Sequence, residues 1–356
     1  PVKRFNYSYT RWGLSDDNKH LLDMRGGNMY SLGLLGYLLF TKDIKVIHLH
    51  TLGRLGNLAR IVAKLKGIPY IVSIHGGLYD LPQKQLQDLV APTKKSFNWG
   101  KLIDIFLPAK DLMKDASAVV CVGAAERDKL SAHYPGKRVE HIPNGVDLDY
   151  IRSGKANDFL AAADKAGFSW RKKDKVVLCV SSFYPQKNQL TLLKAFKRAL
   201  ETQPSLKLTL VGVIYDKAYF QAIEQYISEH QLEDAVWLRT DVKYGEQSLA
   251  DCYQAADTFV LSSRYETFGI VVLEAWAAGC TVICSQAGGL SSLVTHEHDA
   301  LVTDIESESS MCRDILSVQE NSTLKRELEK NATQTVEKYS WQAISQRLAQ
   351  LYEDIQ

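Results

Sequence analysis

Short apolar runs rich in β-branched residues alternate along this chain with amphipathic segments of helix length. Strands buried on both faces read as unbroken apolar runs, so the alternation predicts parallel sheets covered by helices on both sides. In the first half, strands are expected at Lys45–His50, Tyr70–Ile74, Ala118–Val122 and Val139–Ile142. Helices are expected at Leu55–Lys66, Leu102–Asp115 and Ala124–His133. The second half repeats the rhythm, with strands at Val176–Ser181, Lys207–Val211, Val236–Leu238, Thr258–Leu261 and Thr281–Cys284. Helix-like stretches follow them, among them Leu190–Leu200, Tyr219–Glu229, Leu249–Ala256 and Ile270–Ala278. Right-handed crossovers wind such units into a Rossmann-like, doubly wound sheet.

The run Pro143-Asn144-Gly145-Val146-Asp147 is made of turn formers, and a polar stretch of poor periodicity follows it to Lys173. Two α/β domains are therefore expected, 1–146 and 147–340. In the last segment Ile344, Leu348, Leu351 and Ile355 share one helix face, so Trp341–Ile355 is expected to be a helix packing back on the first domain. The opening Pro1–Trp12 has neither the apolar strand nor the glycine-rich turn that starts a doubly wound domain. The first half is also short of strands, so an N-terminal βαβ portion is expected to be missing and the first domain incomplete.

Composition adds little beyond exclusions. At 356 residues and 46 % hydrophobic, the chain has enough apolar surface for two cores. A formal net charge of +2 gives no reason to expect a nucleic-acid partner. Its six cysteines are scattered with no CxxC pair and no zinc spacing, which reads as reduced, buried thiols in a cytoplasmic protein. No signal peptide is recognisable, and no apolar run approaches the roughly 20 residues of a membrane span.

Ligands of open α/β sheets bind beyond the carboxyl ends of the strands. That rule selects Ser182-Phe-Tyr-Pro-Gln-Lys187-Asn188 and Ser262-Ser-Arg264-Tyr-Glu266-Thr267-Phe268-Gly269. The backbone N–H groups of Thr267, Phe268 and Gly269 would form a helix N-terminus that favours anions. Gly269 carries no side chain to block a ligand. Glu274 lies one to two turns along a helix that is apolar nearly all round, where a carboxylate needs a partner or a ligand. A carboxylate that accepts from paired hydroxyls, a phosphate cradle and a second carboxylate suit a ribose, a diphosphate and a sugar. Taken singly, Glu266 reads equally as a charge favoured by the helix dipole, Glu274 as a solvated residue and Lys187 as a surface lysine.

Together these residues resemble a family. Glu266-Thr-Phe-Gly-Ile-Val-Val-Leu-Glu274, then Ala275-Trp-Ala-Ala-Gly279 and Gly288-Gly289, is similar to the Glu-x7-Glu signature of family 4 glycosyltransferases. Gln186-Lys187-Asn188, Pro143-Asn-Gly-Val-Asp147 and Ser340-Trp341 extend the likeness in the right order over most of the chain. The resemblance implies the GT-B architecture of two facing Rossmann-like domains and transfer of a hexosyl unit from a nucleoside diphosphate sugar to a hydroxyl acceptor, with retention. It implies that Glu266 contacts the donor sugar and Glu274 the ribose hydroxyls. Lys187 would neutralise the diphosphate together with the amides of Phe268 and Gly269, and His75, in Ile74-His75-Gly76-Gly77, would stand on the acceptor side. His75 also reads as a satisfied core histidine.

Two departures stand out. The family carries Gly-Arg where this chain has Ser181-Ser182, which removes a bidentate phosphate contact, and Arg264 is the candidate replacement charge. The N-terminal glycine loop is the other absence. With no Asp-x-Asp pair in a suitable loop, and with Asp16-Asp17 and Glu306-Ser307-Glu308 reading as solvated surface, no metal or other cofactor is expected. Base recognition is expected to use backbone groups of loops such as Arg239–Tyr244. The stretch Pro92–Pro108 mixes lysines with aromatic and aliphatic residues. It reads as a partly buried helix with a lysine face, or as a peripheral contact with the inner face of a membrane holding a glycan or lipid-linked acceptor. Bacterial cell-surface polysaccharide or glycolipid assembly would fit. A nucleotide-sugar epimerase, a glycosyl phosphorylase and a degenerate nucleotide-sugar-binding protein are the competing readings.

Overall fold

The structure, a computed structural model, describes residues 2–24, 27–77, 96–101, 104, 112–171 and 173–356. Most of the stretch Pro92–Pro108, and most of the helix expected at Leu102–Asp115, lie outside the described residues. The chain divides into two compact units, Pro1–Pro143 with Gln346–Gln356, and Asn144–Ser345.

The first unit is built on a four-stranded parallel sheet. With β1 (Arg11–Trp12) and β4 (Phe97–Asn98) forming a small antiparallel ribbon, the sheet runs in the order β2 (Ile47–Leu49), β3 (Tyr70–Ile74), β5 (Ala118–Cys121), β6 (Val139–His141). Val72, Val119 and Cys121 are fully buried, together with Ala63 and Leu130 from the flanking helices. Covered on both faces, β3 and β5 need no polar alternation, which is why they read as nearly unbroken apolar runs. The end of the C-terminal helix is tied to this unit by Tyr352 on His48, Arg347 on the His141 carbonyl and Arg138 on Asp354.

The second unit holds a six-stranded parallel sheet in the order β12 (Leu301–Val302), β11 (Thr281–Cys284), β10 (Thr258–Leu261), β7 (Lys175–Val180), β8 (Leu206–Val211), β9 (Val236–Arg239). Strand order reverses between β7 and β10. That is the switch point of a doubly wound sheet, where the flanking loops part and leave a crevice. Phe183, Phe196, Leu192, Leu208 and Val260 are fully buried in the core beneath it.

The stretch after Asp147, expected to be poorly periodic, instead forms helices Leu148–Arg152 and Ala156–Lys165. The Asp147 carboxylate caps the first by accepting from the Tyr150 N–H at 2.9 Å, and the second buries only Phe159 and Ala163. Two buried positions in ten residues are too few to stand out as a period. The two motifs at the ends of the second unit meet each other. Val146 N–H donates to the Tyr339 carbonyl (2.8 Å) and Trp341 N–H to the Val146 carbonyl (3.2 Å). Gly145 lies under the Trp341 ring so closely that a Cβ would come within 2.6 Å of it.

Candidate active site

The loops leaving β7 and β10 are laced together before any ligand is considered. Arg264 N–H donates to the Gln186 carbonyl (2.9 Å), the Gln186 amide to the Tyr265 carbonyl (3.1 Å), and the Ser262 hydroxyl to the Lys187 carbonyl (2.8 Å). Lys187 closes a short 3₁₀ turn, after which Asn188 takes a left-handed conformation (φ 57°) that asparagine tolerates better than most residues. The buried Asn188 amide donates to the Ile305 carbonyl at 2.8 Å, so this residue of the motif is structural.

This lacing places Lys187 Nζ 2.5 Å from Glu266 Oε1, a contact between residues 79 apart in sequence. Both side chains are mostly shielded, at 20 % and 13 % exposure. Behind them, Gly289 N–H donates to the Glu266 carbonyl (2.8 Å). A Cβ on Gly288 would meet that carbonyl oxygen at 2.1 Å, and one on Gly289 would meet the Thr267 oxygen at 2.2 Å. The glycine pair is thus required by close backbone approach. Among the described residues the N–H groups of Thr267, Phe268 and Gly269 have no acceptor, and they open the helix Ile270–Ala277. Gly269 is needed for its own backbone, at φ 99°, and because a Cβ would run into Leu290 at 2.4 Å; clearance for a ligand is not the reason the structure supplies.

Glu274 is buried at 4 % exposure in that helix, among Val272, Leu273, Ala275 and Trp276. Its partner is Tyr253, whose hydroxyl donates to Oε2 at 2.6 Å. Burial pushes the Glu274 carboxyl up to about 7, with the Tyr253 hydrogen bond acting the other way. The phenols of Tyr150 and Tyr244 are raised chiefly by burial and then by the Glu274 charge, which places both within its field. Tyr253 was not read from the sequence. Its only local signal is its place on the apolar face of the helix Gln247–Ala255, which does not separate a core tyrosine from a partner.

Arg264 does not point its charge at Lys187 and Glu266. It grips Glu306 with two contacts (2.6 and 2.9 Å) and donates to the Pro185 carbonyl (2.8 Å). Glu306 and Glu308 lie at the surface as expected, with side chains 57 % and 39 % exposed, and pair there with Arg264 and Lys194 respectively. The Ser182 carbonyl accepts from the Gln189 amide (3.0 Å), which also donates to the Ser181 hydroxyl (2.8 Å). In the Arg239–Tyr244 loop the Arg239 guanidinium is spent on Asp241 (2.7 and 2.8 Å), while Tyr244 is 79 % exposed. Among the described residues no group of three or more His, Cys, Asp or Glu could hold a metal ion.

His75 belongs to the first unit and follows β3. It is exposed, so it is no core histidine, and Gly76 and Gly77 after it take φ values of 92° and 84°. Its Nε2 lies 2.8 Å from His50 Nδ1. His48, beside His50 at 4.3 Å between rings, hydrogen-bonds Tyr352 (2.6 Å) and Ser73 (2.7 Å). Burial, reinforced by His50 and His75, drives His48 down to about 4. His48 and His50 went unread in the sequence, although the His-x-His alternation at the end of a strand places both on one face.

Residues 19–150 match the model of Glycosyltransferase Family 4, and residues 162–335 that of Glycosyl transferases group 1. The chain is 24 % identical over 309 residues to the UDP-Gal:alpha-D-GlcNAc-diphosphoundecaprenol alpha-1,3-galactosyltransferase of Escherichia coli, covering 83 % of this chain and 72 % of that one. It is 25 % identical over 245 residues to the D-inositol 3-phosphate glycosyltransferase of Streptomyces avermitilis, covering 67 % of this chain but about half, 52 %, of the relative. Among solved structures, Anabaena HepE in complex with UDP superposes with a TM-score of 0.70 at 20 % identity, covering 94 % and 89 % of the two chains. A Rickettsia africae glycosyltransferase gives 0.70 at 16 % identity, covering 95 % and 87 %. The signature read from Glu266 to Glu274, the two parallel sheets and these matches agree: this chain is a family-4-like glycosyltransferase of GT-B fold.

Proposed function

We propose that the protein transfers a hexosyl unit from a nucleoside diphosphate sugar to a hydroxyl acceptor, with retention and without a metal. The observation that carries this reading is the Lys187–Glu266 pair beside the unpartnered amides of Thr267, Phe268 and Gly269. As the bond from the anomeric carbon to the diphosphate breaks, its electron pair moves to the diphosphate oxygen. Lys187 and the amides oppose that charge where it develops. Glu266 then turns from Lys187 to the sugar hydroxyls and orients the carbon, onto which the acceptor oxygen forms the new bond as its proton passes to the departing diphosphate oxygen. Glu274 accepts from the ribose hydroxyls, exchanging one buried contact for another.

UDP is the nucleotide most in keeping with the relatives, since HepE is solved with it and the Escherichia coli enzyme is named for UDP-Gal. That enzyme's name also specifies a diphosphoundecaprenol acceptor, which supports a lipid-linked glycan acceptor and peripheral contact with the inner face of a membrane. No helix among the described residues is long and apolar enough to cross one. All six cysteines are free thiols, which suits a cytoplasmic location.

The engagement of Arg264 by Glu306, with Ser182 in the place of the family's arginine, favours one alternative, a nucleotide-sugar binder without turnover. Calorimetric titration of UDP, GDP, ADP and CMP, then the matching sugar nucleotides, into wild type and Glu274→Ala without metal tests both. Binding of one diphosphate, lost in the variant and followed by hydrolysis or transfer of its sugar, supports the transferase. Binding without either reaction supports the alternative, and no binding by any nucleotide refutes both.

A further inference from the structure

The helix Leu32–Phe40 reads Leu-Gly-Leu-Leu-Gly-Tyr-Leu-Leu-Phe, yet none of its nine residues is buried. A helix apolar all round belongs in a core or in lipid, because water rewards a polar face. Its inner side is occupied: Leu38 packs on the first unit's core, and Phe5 meets the Tyr37 ring at 5.3 Å. The outer side is open. Leu32, Gly36, Leu39 and Phe40 follow the i, i+4, i+7, i+8 spacing of a single helical stripe. Leu32 is 81 % exposed and Phe40 85 %, and a Cβ added at Gly36 meets nothing within 4 Å.

The surroundings are cationic. Lys66 donates to the carbonyls of Leu38 (3.1 Å), Leu39 (3.2 Å) and Thr41 (2.6 Å), so the helix's C-terminal acceptors are met by a cation at the rim. Lys3 lies over the Tyr37 ring at 4.3 Å, with exposed Arg4 beside it, and exposed Lys42 and Lys45 follow the helix. Asp43 is the acidic residue set against them.

We propose that this stripe docks on an anionic lipid surface, Leu32, Leu39 and Phe40 entering the boundary between headgroups and acyl chains while the rim meets phosphates. Charge complementarity selects lipid over a second copy of the chain, because a self-complementary pairing would bring the same cations face to face. The inference deepens the peripheral membrane contact proposed above and rests on it; it assigns that contact to a defined element of the first unit.

Flotation of the full chain with vesicles of phosphatidylglycerol and phosphatidylcholine, against phosphatidylcholine alone, tests it. Wild type is expected to float with the anionic vesicles and much less with the neutral ones. Leu32→Ser with Phe40→Ser should weaken binding by roughly tenfold or more per side chain. Lys42→Glu with Lys45→Glu should remove the anionic preference, at about fivefold per lost cation and more for the reversal. Melting curves and nucleotide titration are expected to be unchanged in all variants, which separates loss of docking from loss of fold. Failure of wild type to float, or flotation of Leu32→Ser/Phe40→Ser equal to wild type, overturns the proposal. So does a concentration-dependent wild-type dimer that the same double variant abolishes. If these failures come with intact nucleotide binding, they sink the docking face and leave the donor reading standing; wild type that binds no nucleotide sinks the donor reading itself.

Discussion

Glu274 is the residue whose replacement is most informative. Its carboxyl titrates near 4.5 when solvated and at about 7 in the folded protein, because burial penalises the charged form. Between those values the folded state holds a proton that the unfolded chain has lost. Stability from this group is therefore complete below pH 4.5 and is lost as pH rises through 7. At 1.36 kcal/mol per pKa unit, the shift from 4.5 to about 7 amounts to about 3 kcal/mol. Glutamine keeps the shape and an acceptor for the Tyr253 hydroxyl but never ionises. Glu274→Gln should thus gain on wild type as pH rises from 5 to 9, by on the order of 10 °C in the melting temperature of a unit of this size. The difference between the two proteins is the quantity to follow, since other titrating groups cancel in it. At pH 8 the same variant should bind UDP at least about tenfold more weakly, because one acceptor oxygen for the ribose diol has become a donor. A melting difference that stays constant from pH 5 to 9 would refute the account of Glu274 as a carboxylate held neutral by burial.

Other variants separate the remaining roles. Lys187→Ala should lower kcat/KM by about 10²–10³ with EDTA-treated protein, whereas Glu266→Gln should lower kcat yet keep or tighten UDP binding by freeing the lysine; equal loss of UDP affinity in both would contradict that division. Gly289→Ala should lower the melting temperature and abolish UDP binding, since its Cβ has only backbone to push against; unaltered binding would mean that the 266–269 loop is not set by this contact. His48, depressed to about 4, binds its proton later than the unfolded chain does, so its stability is lost as pH falls from 6.5 toward 4. His48→Asn should flatten the fall in melting temperature over that range, and an unchanged slope would place the acid sensitivity elsewhere.

What the sequence determined by itself is the part carried by local period. β7, β10 and β11 are buried along most or all of their length on both faces, and after their first residue they are apolar without interruption. Once they were located, the rule for parallel sheets put the ligand loops at Ser182–Asn188 and Ser262–Gly269, and the strand reversal between β7 and β10 lies there. The ribbon of β1 and β4 and the strand β12, each two residues long, are too short to have a period at all. Helix Leu32–Phe40 escaped reading because it has no polar face for a moment to register.

Tertiary structure alone decided the partners. The contact of Lys187 with Glu266 spans 79 residues, and that of Tyr253 with Glu274 joins two helices whose apolar faces look alike in sequence. Arg264 reads as free charge until Glu306, 42 residues on, is brought to it by the turn after β12. Ionisable and hydroxyl side chains act through whichever group the fold places within about 3 Å. Spacing along the chain says which residues share a face; only packing says what that face meets.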